Sequence, residues 1–180
     1  MIKPESITTL LDFQQLMKHL KKDWWLDYGT ALGAYRDKDF IANDNDIDIG
    51  VYADNKIELM IRGIGIFSQA VSYWKIEGFT NKYRYIKFGV HDKFDILVYY
   101  KMNKDNFYTV RKNVGPNKFA CKEIPAKFLD ELQEIDFKGM KVKVPNHIEE
   151  YLEYLYGADW RTPKNESDKK KVVIQEIIKQ

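Results

Sequence analysis

Hydrophobic positions change period sharply along the first third of the chain. From about Glu5 to Lys22, Leu10, Leu11, Phe13, Met17 and Leu20 recur at near-helical spacing, which predicts an amphipathic helix. Its basic end, Lys18 to Lys22, complements the negative pole of the helix dipole. Trp24 to Tyr28 is a short apolar run that predicts a strand. Gly29-Thr30 then predicts a turn into a short helix reaching about Arg36. Asp37 to Asn45 is polar and turn-like, and Asp46 to Tyr52 alternates strictly, the clearest strand signal in the chain.

Further along the pattern is mixed. Between Asp54 and Trp74, Ile57, Met60 and Ile61 suggest a helix that Gly63 and Gly65 would break. Tyr83 to about Val110 predicts sequential antiparallel strands, with turns around His91-Asp92 and Lys104-Asp105. Ile135 to Val144 reads as a hairpin turning at Lys138-Gly139. Pro145-Asn146 opens a helix whose apolar positions are Ile148, Tyr151, Leu152, Tyr154 and Leu155, ending near Gly157. Asp159 to Ser167 is expected to be a loop and Asp168 to Lys179 a last helix. With no repeat and no low-complexity linker, residues 1–180 are expected to form one domain.

Composition narrows the class only a little. The chain is 44% hydrophobic and 31% charged, ordinary for a soluble domain. A formal charge of +2, with acidic and basic residues interspersed, gives no reason to expect nucleic acid as a partner. The single cysteine, Cys121, excludes an internal disulfide and fits a reducing compartment. No apolar stretch approaches the length of a membrane span, and the first residues carry no signal-peptide core. A cytoplasmic location is the expectation.

The candidate chemistry lies between Trp24 and Val51. A strand entering Gly29-Thr30 and then a helix offers backbone N–H groups suited to a phosphate. Asp46 and Asp48, at i and i+2 of a strand, share one face roughly 6–7 Å apart. That spacing suits one hard divalent cation or a pair of them. Asp95, inside the apolar run Phe94 to Val98, is costly to bury unless satisfied. Across adjacent strands it would complete a three-carboxylate cluster, whose repulsion a divalent metal relieves. The bland alternative places these aspartates on a solvated strand edge. An EF-hand loop starting at Asp44 fails, because Ile49 takes the glycine position and Asn55 the glutamate position.

Arg36, one short helix after Gly29-Thr30, could fork onto phosphate oxygens, and Lys87 is a weaker candidate on a facing strand. His19, His91 and His147 show no metal-ligand spacing. P-loop, Rossmann and nucleophile-elbow motifs do not occur.

Trp25 to Arg36, followed by Phe40-Ile41 and Asp44 to Gly50, resembles the LicD/fukutin family pattern W-L-D-G-G-T-L-L-G-x-x-R, then F-I-P-W-D-D-D-I-D-I-G. Ile135 to Gly139, Val144-Pro145, Tyr151-Leu152, Tyr156-Gly157, Trp160 and Pro163 resemble the family's closing block. The two blocks keep their order and span nearly the whole chain. The resemblance implies an α+β nucleotidyltransferase fold, a small mixed β-sheet flanked by helices. It also implies transfer of phosphocholine or a related alcohol phosphate from a CDP-activated donor to a hydroxyl of a glycan or polysaccharide precursor.

Carried onto this chain, the resemblance gives Gly29, Thr30 and Arg36 to the donor phosphates. Asp46 and Asp48 become ligands of magnesium, with manganese able to replace it. Asp95 becomes a further metal ligand or the base facing the acceptor. Three departures bear on donor and acceptor: Tyr28 for the family's first glycine, Ala42-Asn43 for Pro-Trp, and Asn45 for the middle aspartate. A nucleotidylyltransferase releasing pyrophosphate and an inactive binding module are the alternatives.

Overall fold

The computed structural model of the chain describes residues 4–42, 44, 46–57, 85–88, 93–115, 118–164 and 176–179. Helix α1 spans Pro4–Leu20 and buries Leu10, Phe13 and Met17, one residue per turn or so, while Leu11 turns 39% of its surface outward. Phe13 meets Trp24 edge-on at 5.5 Å, and the Gln14 side-chain amide donates to the Lys141 carbonyl at 2.8 Å. Strand β1 (Trp24–Leu26) and helix α2 (Tyr28–Arg36) follow, then β2 (Asp46–Tyr52), whose bounds match the alternating run. Next come β3 (Tyr85–Phe88), β4 (Lys93–Lys101), β5 (Asn106–Gly115) and β6 (Lys118–Pro125). A 3-10 turn (Ala126–Phe128) leads to the hairpin β7 (Leu132–Phe137) and β8 (Met140–Pro145). Helix α3 (Ile148–Tyr156) and strand β9 (Glu176–Lys179) complete the described elements.

Among the described residues, seven strands form one mixed sheet in the order β1-β2-β4-β5-β6-β9, with β3 also on β4. Only β2 and β4 run parallel within it; the other pairs are antiparallel. On the edge of β4 away from β2, β3 takes Phe94–Leu97 and β5 takes Tyr99–Lys101. The β7–β8 hairpin turns through Lys138 at φ 50° and Gly139 at φ 78°, the left-handed pair that a two-residue turn needs. Gly157, at φ 89°, ends α3.

The sequence pattern departs from this in three places. Gly29-Thr30 is not a turn before α2 but part of its first turn, because Asp27 caps a helix that already begins at Tyr28, where the strand was expected to end. Strand β6 carried no periodic signal. The expected helix over Asp168–Lys179 is a strand at residues 176–179, paired antiparallel to Phe119–Lys122 of β6. An open edge of β6 satisfies that backbone in place of helical hydrogen bonds, and Ile177-Ile178 suits the pleat. The rest of that expected helix, the ambiguous stretch beyond Ile57 and the His91-Asp92 turn lie outside the described residues.

Gly50 shows how tightly the sheet face near the site is packed. Trp25, fully buried, lies across it, and a Cβ there would sit 2.1 Å from the indole Cε2. Indole and backbone both resist moving, so Gly50→Ala is expected to lower stability by about 3 kcal/mol. A urea midpoint close to that of the unmodified protein would contradict this packing.

Candidate active site

The site begins where β1 hands the chain to α2. Asp27 is extended, at φ −129° and ψ 171°, and its Oδ1 accepts from the Tyr28 N–H at 2.9 Å as the helix cap. Its own N–H donates to the Asp48 carbonyl at 3.0 Å, so the cap is held directly against β2. The Gly29 N–H then donates to Asp48 Oδ2 at 3.0 Å, and the Asp48 N–H donates to Thr30 Oγ1 at 2.9 Å. Asp48 is thereby pinned to the first turn of α2 from both its backbone and its side chain. Of the amides that the sequence offered to a phosphate, the Gly29 N–H is already engaged by Asp48.

Parallel pairing places Asp48 directly beside Asp95, with Asp46 two residues back on the same face. A Cβ on Gly29 would lie 2.9 Å from Asp44 Oδ2 and 3.4 Å from Asp48 Oδ2, so the glycine makes room for both carboxylates. Burial first, then Asp46, Asp27, Asp95 and Asp44, push the Asp48 carboxyl well above the ordinary aspartate range. The Tyr156 phenol, at the end of α3, is also pushed well above its usual range, by burial and then by Asp48, Tyr28, Asp27 and Asp44. It belongs to the same cluster.

Beneath the cluster Asp27 is fully buried. The Tyr99 hydroxyl donates to its Oδ2 at 2.6 Å and the Tyr151 hydroxyl donates to its Oδ1. Burial raises the Asp27 carboxyl, while Tyr151, Tyr99, the Tyr28 N–H and the charge of Lys122 oppose that rise. Lys122 of β6 is 5% exposed and sets its ammonium 4.4 Å from the centre of the Tyr28 ring.

The other candidates lie apart. Arg36 ends α2, about 10 Å along the axis from Gly29. Its Nε and Nη2 each donate to Asp37 at 2.7 Å, and Nη1 donates to the Trp160 carbonyl at 3.3 Å. Lys87 occupies the register position opposite Asp95 on β3. Asp27 and Asp44 were missed, although an aspartate just before a helix is a cap signal in the sequence. Nothing local announced Tyr99 or Lys122, and Tyr151 and Tyr156 stood in the family's closing block with no site role.

An all-carboxylate donor set fits a hard divalent cation, and the charge crowding at Asp48 is what such a cation would relieve. Among the described residues no three acidic, histidine or cysteine side chains enclose a metal position as they stand.

The family model described as LicD/FKTN/FKRP, nucleotidyltransferase domain, matches residues 21–147, from the approach to β1 through the end of β8. The chain belongs to this family. Among relatives of the LicD-type chain, the mouse protein named ribitol 5-phosphate transferase FKRP is 28% identical over 144 residues, covering 74% of this chain and 27% of that protein. The human ribitol-5-phosphate transferase FKTN is 28% identical over 145 residues, covering 78% of this chain and 30% of that protein. The chain thus spans under a third of the length of these curated relatives. Lincosamide antibiotic adenylyltransferase LnuA, in its lincomycin-bound crystal structure, superimposes with a TM-score of 0.53 at 17% identity. That likeness covers 93% of this chain and 92% of LnuA, and it establishes the nucleotidyltransferase fold. No helix among the described residues is long and apolar enough to cross a membrane.

Proposed function

We propose that this LicD-family domain transfers phosphocholine or a related alcohol phosphate, ribitol phosphate included, from a CDP-activated donor to a glycan hydroxyl, releasing CMP. The observation that carries the reading is the gathering of Asp44, Asp46, Asp48 and Asp95 at the start of α2. Family membership and the names of the relatives support alcohol phosphate as the group moved. Magnesium or manganese, held by Asp46 and Asp48 with Asp95 as a further ligand or else as the base, would supply positive charge to the diphosphate when bound. Gly29 and Thr30 would meet the donor phosphates, the Gly29 N–H by exchanging Asp48 for a phosphate oxygen. Arg36 would join them only by giving up Asp37.

In the transfer itself, the acceptor oxygen forms a bond to the phosphorus distal to the nucleoside. The bond from that phosphorus to the CMP oxygen breaks, and the acceptor proton passes to a carboxylate, with Asp95 the candidate base. Cys121, buried in β6, accords with a reducing compartment, and a cytoplasmic setting is part of the same proposal.

Thermal melting with CDP-choline, CDP-ribitol, CDP-glycerol, CTP and ATP, each with and without magnesium, tests the donor. A ligand at a hundred times its Kd adds about 2.7 kcal/mol, or about 5–10 °C for a chain of this size. The expected result is a magnesium-dependent rise with one CDP-alcohol, and CMP as the product. Pyrophosphate released from CTP or ATP would replace this reading with nucleotidylyl transfer. Donor binding without any product in a single turnover would replace it with a binding module.

A further inference from the structure

We propose that Lys122 is a positioning residue of this site, acting through Tyr28 to hold the Gly29 N–H on Asp48. Tyr28 opens α2 at φ 37°, a left-handed backbone that a bulky residue adopts only where its surroundings impose it. Those surroundings are three elements distant in sequence. The ammonium of Lys122, on β6, lies 4.4 Å from the Tyr28 ring centre. The Tyr28 N–H is tied to Asp27, whose carboxylate is in turn held by Tyr99 of β4 and Tyr151 of α3.

Register explains how a β6 lysine reaches so far. Tyr99 pairs with Thr109, and Thr109 with Lys122, so the three stand in one row across a single sheet face. Thr109 is fully buried and its hydroxyl finds no hydrogen-bond partner among the described residues. The row is therefore not a saturated structural network. A buried lysine is held where its charge has a use, and its neighbours here include the Tyr28 ring and the charge of Asp27. Clamping the ring fixes the peptide between Tyr28 and Gly29, and that peptide carries the N–H bonded to Asp48 at 3.0 Å.

The proposal rests on reading Asp48 as a site carboxylate, but its test needs no substrate. Amide hydrogen exchange and proton shifts of Gly29 would be followed by NMR in the full chain. In Lys122→Met the Gly29 amide is expected to exchange on the order of ten-fold faster and its resonance to move upfield, as a lost hydrogen bond requires. Ala31, whose N–H donates to the Asp27 carbonyl at 2.9 Å, is the internal control and should hold. Lys122→Arg, which keeps a cation over the ring, should restore Gly29. Tyr28→Gly should reproduce the Gly29 change, and adding Lys122→Met to it should change nothing more.

An unmoved Gly29 amide in Lys122→Met overturns the proposal. So does a shift that Gly29 and Ala31 share and Lys122→Arg fails to rescue. If Lys122→Met does not fold, Tyr28→Gly decides, because glycine accepts φ 37° freely, and protection of Gly29 there as in the unmodified protein overturns it equally. The transferase reading stands or falls separately, on CMP formation.

Discussion

Asp48→Asn is expected to abolish transfer and at the same time to raise the melting temperature of the metal-free protein. Both effects follow from one geometry. Asp48 shares its surroundings with Asp46, Asp27, Asp95 and Asp44, and these like charges together with burial disfavour its ionised form. Two unit charges about 5 Å apart repel by about 3 kcal/mol at an effective dielectric of about 20. Solvent and partial protonation reduce the net gain from neutralising Asp48 to about 1–2 kcal/mol, worth about 2–8 °C. Asparagine keeps an oxygen for the Gly29 N–H, so the first turn of α2 survives. Without the negative charge the cation site and the aligned diphosphate are lost, and turnover falls by on the order of a thousand-fold or more.

The pH dependence has a definite sign. The Asp48 carboxyl titrates higher in the folded chain than its ordinary 3.8, so the folded state holds that proton more tightly than the unfolded chain does. Its stabilising contribution is complete below the ordinary value and is lost as the pH climbs through the raised one. The melting advantage of Asp48→Asn over the unmodified protein should therefore widen as the pH rises from 3.8 upward. Magnesium should close that gap by stabilising the unmodified protein alone. Retained turnover, or a variant that melts well below the unmodified protein, would remove Asp48 from the reaction.

Asp27→Ala is expected to be the most destabilising change at the site, by about 3–5 kcal/mol. The helix cap accounts for about 1 kcal/mol. The buried hydroxyls of Tyr99 and Tyr151, left without their acceptor, add about 1–3 kcal/mol each, and the terms overlap because they share one carboxylate. Asp27→Asn should be far milder. Its oxygen still caps α2, and its amide can donate to one of the tyrosine oxygens that previously donated to it. Urea denaturation of both variants measures the difference. Equal midpoints for Asp27→Ala and Asp27→Asn would mean that the tyrosines find other partners and that Asp27 is only a cap.

Local pattern accounts for the elements that were legible. The alternation of Asp46–Tyr52 defines β2 to the residue, because period two has a single structural reading over seven positions. Lys138-Gly139 marks its hairpin through the left-handed backbone that glycine accepts, and Gly157 marks the end of α3 for the same reason. Asp46 and Asp48 on one face follow from the same alternation. Resemblance to the LicD/fukutin family, read from two blocks of residues, named the fold before any contact was known, and the family match over residues 21–147 bears it out.

What the tertiary structure alone decided is who meets whom. Asp27 lies 72 residues from Tyr99 and 124 from Tyr151, distances at which no periodicity or turn residue carries information. Strand β9 exists because β6 leaves an edge to pair, a property of the assembled sheet rather than of residues 176–179. Lys122 carries no signal of its own in the sequence, and only the Tyr99-Thr109-Lys122 register brings it under Tyr28. Hydrogen-bond partners and buried charges are chosen by proximity in the folded chain. The sequence determines which residues can bind or ionise, and packing determines which of them are made to.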